Sequence, residues 1–133
     1  MQYITGIHAL NLNCSLDTAG DWHRSWLQWD HPKMGDTEES FFRDYGIENC
    51  NHVPGREGTQ KVANHIRALL DLLVEGNFST AQGMKNDFIV NDKYTPEIFR
   101  KVYELHDFKT WPSISHFMGQ EYGIEWLKFL ASV

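Results

Sequence analysis

Cys14 and His23 stand at the two ends of CSLDTAGDWH, in a chain with only two cysteines and seven histidines. A thiolate and an imidazole are zinc ligands, at about 2.3 and 2.0–2.1 Å from the ion. Asp17-Thr18-Ala19-Gly20 is turn chemistry, and a hairpin turning there sets Leu16 opposite Asp21, Cys14 opposite His23, Leu10 opposite Leu27 and His8 opposite Trp29. Directly opposed residues hold their Cβ atoms about 4.5–5.5 Å apart, close enough for both side chains to reach one ion. A closed structural zinc site takes four ligands. His65, on the edge of the apolar face of a helix over residues 60–74, is the expected third. Cys50 is the expected fourth, with His52 as its alternative. His8 shares the face of Cys14 but lies about 20 Å along an extended strand, so it joins only if the strand breaks.

Other groups compete for the same residues. Cys14 as a small buried hydrophobe and His23 as a core histidine account for the pair without metal, and the sequence has no CxxC pairs. Asp21, His23, Asp30 and His31 could form a hydrolytic cluster in which a carboxylate orients an imidazole. No HExxH, GxSxG or phosphate-cradling glycine loop completes it. Trp22, Arg24 and Trp26 share the opposite face of the second hairpin strand, and Trp and Arg dominate protein-binding hot spots. Covered by helices, the same residues would be core. Asn64 and Arg67 beside His65 could bind an anion, although an exposed helix flank explains both. The run DTEES reads as a solvated acidic loop.

The elements that must position these groups change character along the chain. Alternation from Ile4 to Leu16 predicts a strand with one buried face, and the aromatic run Asp21 to Trp29 a second. HPKMGDTEES reads as a loop, and FFRDYGIENC as a third short strand before the Pro54-Gly55 turn. Beyond Gly58 the period becomes helical: Val62, Ile66, Leu69, Leu70 and Leu73 form a stripe that Gly76 stops. Ser79 caps a short helix ending near Asn86. Thr95-Pro96-Glu97 opens a helix through about His106 with Ile98, Phe99, Val102 and Leu105 inward. The tail from Pro112 to Ala131 reads as helix broken near Gly119 and Gly123, with Phe117, Ile124, Leu127 and Leu130 inward. Strands first and helices afterwards predict an α+β fold: a hairpin or small sheet over about residues 3–50, packed by about four C-terminal helices.

A chain of 133 residues, 41% hydrophobic and 14% aromatic, can bury a core, and the expectation is a single domain over 1–133. Its net charge of −6, with no basic stripe, disfavours nucleic acid and acidic membrane and favours a basic protein partner. The N-terminus lacks a signal-peptide pattern and no run is long enough to span a bilayer. A cytoplasmic location with free or ligating thiols is expected.

The combination IHALNLNCSLDTAGDWH, DYGIE, VANHIRALLDLL and GNFSTAQGMKNDFI resembles small bacterial and phage proteins of mobile elements and defence neighbourhoods, and the likeness spans most of the chain. It implies no reaction. In such settings small acidic domains act as antitoxins, immunity proteins or anti-CRISPR proteins by occupying a larger protein. The expected function is therefore a binding module, zinc-stabilised, that inhibits or regulates a nucleic-acid-processing protein. A metal-dependent hydrolase using Asp21 and His23 is the alternative.

Overall fold

The computed structural model describes residues 1–23 and 26–133. The fold is α+β, with a small mixed sheet in the N-terminal half, as the change of period predicts. The chain divides into two compact units, Met1–Asp71 and Leu72–Val133.

In the first unit, strands β1 (Gln2–Ile4), β2 (Met34–Asp36), β3 (Ile47–Cys50) and β4 (Gln60–Ala63) form a sheet of order β2-β1-β4-β3. β1 runs antiparallel to β2, with Tyr3 opposite Gly35, and parallel to β4 at Ile4 and Val62. β3 is antiparallel to β4, with Glu48 opposite Val62 and Cys50 opposite Gln60. Two short helical pieces flank these strands in sequence: α1 (Gly6–Ala9) follows β1, and α2 (His65–Glu75) follows β4. Ile4, Leu10, Val62, Ala63, Ile66, Leu69 and Leu70 are buried and supply the apolar core; each such side chain contributes about 1.5–3 kcal/mol relative to exposure.

The hairpin of strands over 4–16 and 21–29 is not formed. Residues 6–9 are helical, and the described residues from 11 to 33 contain neither helix nor strand. Even positions 4, 6, 8, 10 and 12 are buried, but so are Tyr3, Thr5 and Ala9, so burial does not alternate as a strand with one buried face requires. Gly6, Ala9 and Leu10 fit a helical turn equally well, and the short run cannot distinguish the two. The expected third strand survives as Ile47–Cys50, while the expected loop HPKMGDTEES supplies β2. The front of the expected 60–74 helix is strand β4, and the helix itself starts at His65. Asn64 caps it: its Oδ1 accepts the Arg67 N–H at 2.9 Å, satisfying one of the unpaired amides of the first turn.

In the second unit, α3 (Phe78–Ala81) starts at Asn77, whose side chain accepts the Thr80 N–H, so Asn77 and not Ser79 is the cap. A π-helical turn (Met84–Phe88) and a 3-10 turn (Asp92–Tyr94) lead to α4 (Thr95–Tyr103), which carries Pro96 and Glu97 in its first turn as read. α5 (Trp111–Tyr122) and α6 (Ile124–Ser132) are separated at Gly123, where φ is +59° and a side chain would be strained. Phe99 anchors an aromatic cluster, 4.9 Å from Tyr122, 5.1 Å from Trp126 and 5.3 Å from Phe129 between ring centroids. Phe117 is inward as read, but Ile124 and Leu127 are 63% and 57% exposed, because α6 turns Trp126 inward instead. Among the described residues no helix is long and apolar enough to cross a membrane.

Candidate functional site

The expected site residues occupy different surroundings. Cys14 is half-buried and its Sγ accepts the Leu16 N–H at 3.5 Å. Burial pushes its thiol pKa up, opposed by the Leu16 and His65 backbone N–H groups. His65 is wholly buried. Its Nε2–H donates to the Leu12 carbonyl at 2.6 Å and its Nδ1 faces the Thr18 hydroxyl. A carbonyl only accepts, so the proton sits on Nε2, leaving the Nδ1 lone pair to take the Thr18 O–H. Burial holds the imidazole below its usual pKa, against the pull of the Leu12 carbonyl and of Glu48. Cys14 and His65 are thus brought together, through the His65 backbone.

Cys50 is buried at the end of β3. His52 is exposed in the turn that follows. His23 is exposed, has φ +51° and lays its ring on that of Trp22, 3.9 Å between centroids. The hairpin that would have put it across from Cys14 does not exist. Both ring nitrogens of His65 are engaged, and among the described residues no group of three or more His, Cys, Asp or Glu is placed to hold a metal ion. Asp21, Asp30 and His31 are exposed.

The aromatic ladder is divided. Trp22 is core at 5% exposure, whereas Trp26 is 88% exposed; Arg24 lies outside the described residues. A side chain that binds through large rigid aromatic area is therefore presented by Trp26 and withheld by Trp22. It sits between α1 and β2, where the described residues from 11 to 33 contain neither helix nor strand, and long loops tend to carry function.

Two buried histidines hold that segment. His8, on α1, donates from Nε2 to the Gln28 carbonyl at 2.7 Å and accepts the Lys33 N–H on Nδ1 at 3.0 Å. Trp29 meets its ring edge-on at 5.0 Å. His65 holds Leu12 and Thr18 in the same manner. Glu48 of β3 accepts from both the backbone N–H (3.0 Å) and the hydroxyl of Ser15. Asn11 bridges the Ile7 and Trp22 carbonyls at 2.8 and 2.9 Å.

Beneath the sheet's own bonds lies an ionic network that the exposed-flank reading of Arg67 and Asn64 gets wrong. The Arg67 side chain is fully buried, and Asn64 is buried too. All five guanidinium N–H groups are used: Nε to Asp71 at 2.9 Å, Nη1 to the Arg43 and Tyr45 carbonyls at 2.7 Å each, and Nη2 to the Tyr3 hydroxyl and Ser40 Oγ at 2.7 and 2.5 Å. The second Asp71 oxygen accepts from Tyr3 and Thr5 at 2.7 Å each. Burial and the Asp71 carboxylate push the Tyr3 hydroxyl up to about 12. Because no donor is left over, Arg67 has nothing to offer an anion; it ties α2 to β1 and to the turn before β3. Gly46 permits this approach: its φ is +72°, and a Cβ there would lie 2.7 Å from the Arg67 Cβ.

In the second unit, α5 and α6 border an open groove of about 720 Å³ lined by Trp111, Pro112, His116, Ile124, Trp126 and Leu127, among others. Among the described residues, no Asp, Glu, Lys or Arg lines it.

No family model matches the chain, and neither a curated protein nor a solved structure matches it.

Proposed function

We propose that the protein is an acidic binding module that inhibits or regulates a larger, basic, nucleic-acid-processing protein in the cytoplasm, with Trp26 as its anchor. The exposure of Trp26, at 88% in a chain of net charge −6, carries the reading. Leaving a large apolar ring in water forgoes burial energy, and a partner pocket recovers it. The negative charge would steer a basic partner and raise the association rate. The resemblance to proteins of mobile elements supplies the nucleic-acid-processing class of that partner.

Tagged wild-type protein expressed in a bacterial host should co-purify with a stoichiometric, basic protein. The association rate of the recovered pair should fall as salt rises, since screening sets in beyond about 10 Å at 0.1 M. Isolated protein that hydrolyses phosphoesters or peptides, in a manner stopped by Asp21→Ala, would replace this reading with the hydrolase.

A further inference from the structure

We propose that the face formed by α3, α5 and α6 in the second unit is a self-association surface, through which two copies of this chain form a two-fold dimer. The face lies wholly within Leu72–Val133 and owes nothing to Trp26.

The helical phase of α5 divides its outer surface. Pro112, His116 and Gln120, at i, i+4 and i+8, are exposed and form a ridge. On one side of the ridge, Trp111, Ser115 and Gly119 face α6 across the groove of about 720 Å³. On the other, Ser113 and Phe117 face Phe78 of α3 across a second groove of about 400 Å³, and the ridge residues border both. The Phe78 and Phe117 rings stack at 5.3 Å, which fixes α3 beside α5. Trp126 is buried and donates from Nε1 to Ser115 Oγ at 3.1 Å, which sets the phase of α6. That phase turns Ile124, Leu127 and Ala131, at i, i+3 and i+7, outward as a second ridge.

From α3 to α6 the surface therefore runs groove, ridge, groove, ridge. Reversed, this order is complementary to itself. A two-fold axis along the helices, placed between the α5 ridge and the α5–α6 groove, seats the α5 ridge of each copy in the α5–α6 groove of the other. The same rotation brings the α6 ridge of each copy into the other's α3–α5 groove. Helices pack by ridges into grooves, and an isologous interface requires a surface that matches itself.

Charge selects the same occupant. The chain carries a net charge of −6, so two copies repel wherever acidic surface meets acidic surface. Among the described residues, no Asp, Glu, Lys or Arg lines either groove. Contact through this face buries no charge in the grooves, and a basic partner finds nothing in them to pair with. The twelve residues of α5 make the face about 18 Å long, and three elements about 8–10 Å apart make it about 25 Å wide. That is roughly 450 Å² per copy and about 900 Å² for the pair before side-chain relief is counted, close to the lower bound of about 1,000 Å² for a specific interface. The dimer is accordingly weak, with Kd on the order of 10–100 μM.

Sedimentation equilibrium of the full chain from about 5 to about 500 μM should show a monomer–dimer equilibrium in that range. Its Kd should hold or tighten as salt rises, because screening removes repulsion between the copies and no ion pair in the grooves is lost. Leu127→Lys puts a charge on the α6 ridge and Ser113→Asp puts one in the α3–α5 groove, both at exposed positions. Each variant alone should weaken association at least about tenfold. Mixed in equal amounts, the two should recover a dimer within about threefold of wild type, because the heterodimer sets the introduced charges against each other at one contact and leaves the other contact unaltered. A monomer at about 500 μM, a dimer that loosens with salt, single variants as tight as wild type, or a mixture no tighter than its components would overturn the proposal. Should a variant fail to fold, methyl spectra of the wild type over the same concentrations decide: shifts at Ile124 and Leu127 support the dimer, and their absence refutes it.

Discussion

Arg67→Lys tests whether the buried ionic network holds the first unit together by hydrogen-bond count or by charge alone. The substitution keeps the positive charge beside Asp71 but replaces five forked donors with three on one nitrogen. Five acceptors surround the guanidinium, so at least two lose their bond: Asp71 Oδ1, the Arg43 and Tyr45 carbonyls, the Tyr3 hydroxyl and Ser40 Oγ cannot all be reached. Each buried acceptor left unsatisfied costs about 1–3 kcal/mol, which gives about 2–6 kcal/mol for two. Natural domains have about 5–15 kcal/mol in total, so the variant should be marginal but measurable. Urea unfolding followed by tryptophan fluorescence should show a midpoint lowered by about 1–3 M at an unchanged slope near 2 kcal/mol/M. Arg100→Lys, at an exposed position of α4, is the control and should move it by less than about 0.3 M, the surface-substitution range. A loss below about 0.5 kcal/mol in Arg67→Lys would refute the reasoning, since charge would then suffice.

The Tyr122 hydroxyl is buried without a partner among the described residues, so Tyr122→Phe should leave thermal stability unchanged or raise it by up to about 1 kcal/mol, read by calorimetry. Gly46→Ala should destabilise by more than about 1 kcal/mol in urea, combining positive-φ strain with the collision against Arg67. Tyr3 is held protonated well above its ordinary 10, to about 12. The unfolded chain therefore loses this proton first, and the network's stability should be complete below pH 10 and decline between 10 and 12, followed by tyrosinate absorbance alongside circular dichroism.

Local signals with a backbone mechanism were legible in the sequence. Thr95-Pro96-Glu97 opens a helix because Pro fits the first turn and the acid complements its amides, and α4 is found there. Gly76 and Gly123 end helices where a positive φ is needed. The long-range choices were not legible. Val62 and Ile66 share an apolar stripe at helical spacing, yet β1 recruits Gln60–Ala63 into the sheet, a pairing between residues nearly sixty apart in sequence that no local period encodes. The hairpin that was to pair Cys14 with His23 is absent, whereas His65, expected from helical phase alone, does come beside Cys14, through its backbone N–H. Arg67 looked like a flank because a charged residue at i, i+4 from an aspartate is ordinary on a surface helix. Only the return of Tyr3, Ser40 and the Arg43–Tyr45 turn makes it the centre of a core.

The most direct test of the binding account is the affinity of the recovered partner for wild type and for Trp26→Ala, compared by calorimetry at one salt concentration and pH 7.5. Trp26 is almost wholly in solvent, so the melting temperature should not change. A central aromatic anchor contributes at least about 2 kcal/mol, so Kd should rise by about thirtyfold or more. An affinity within about twofold of wild type, a difference of less than about 0.5 kcal/mol, would contradict the assignment of Trp26 as the anchor.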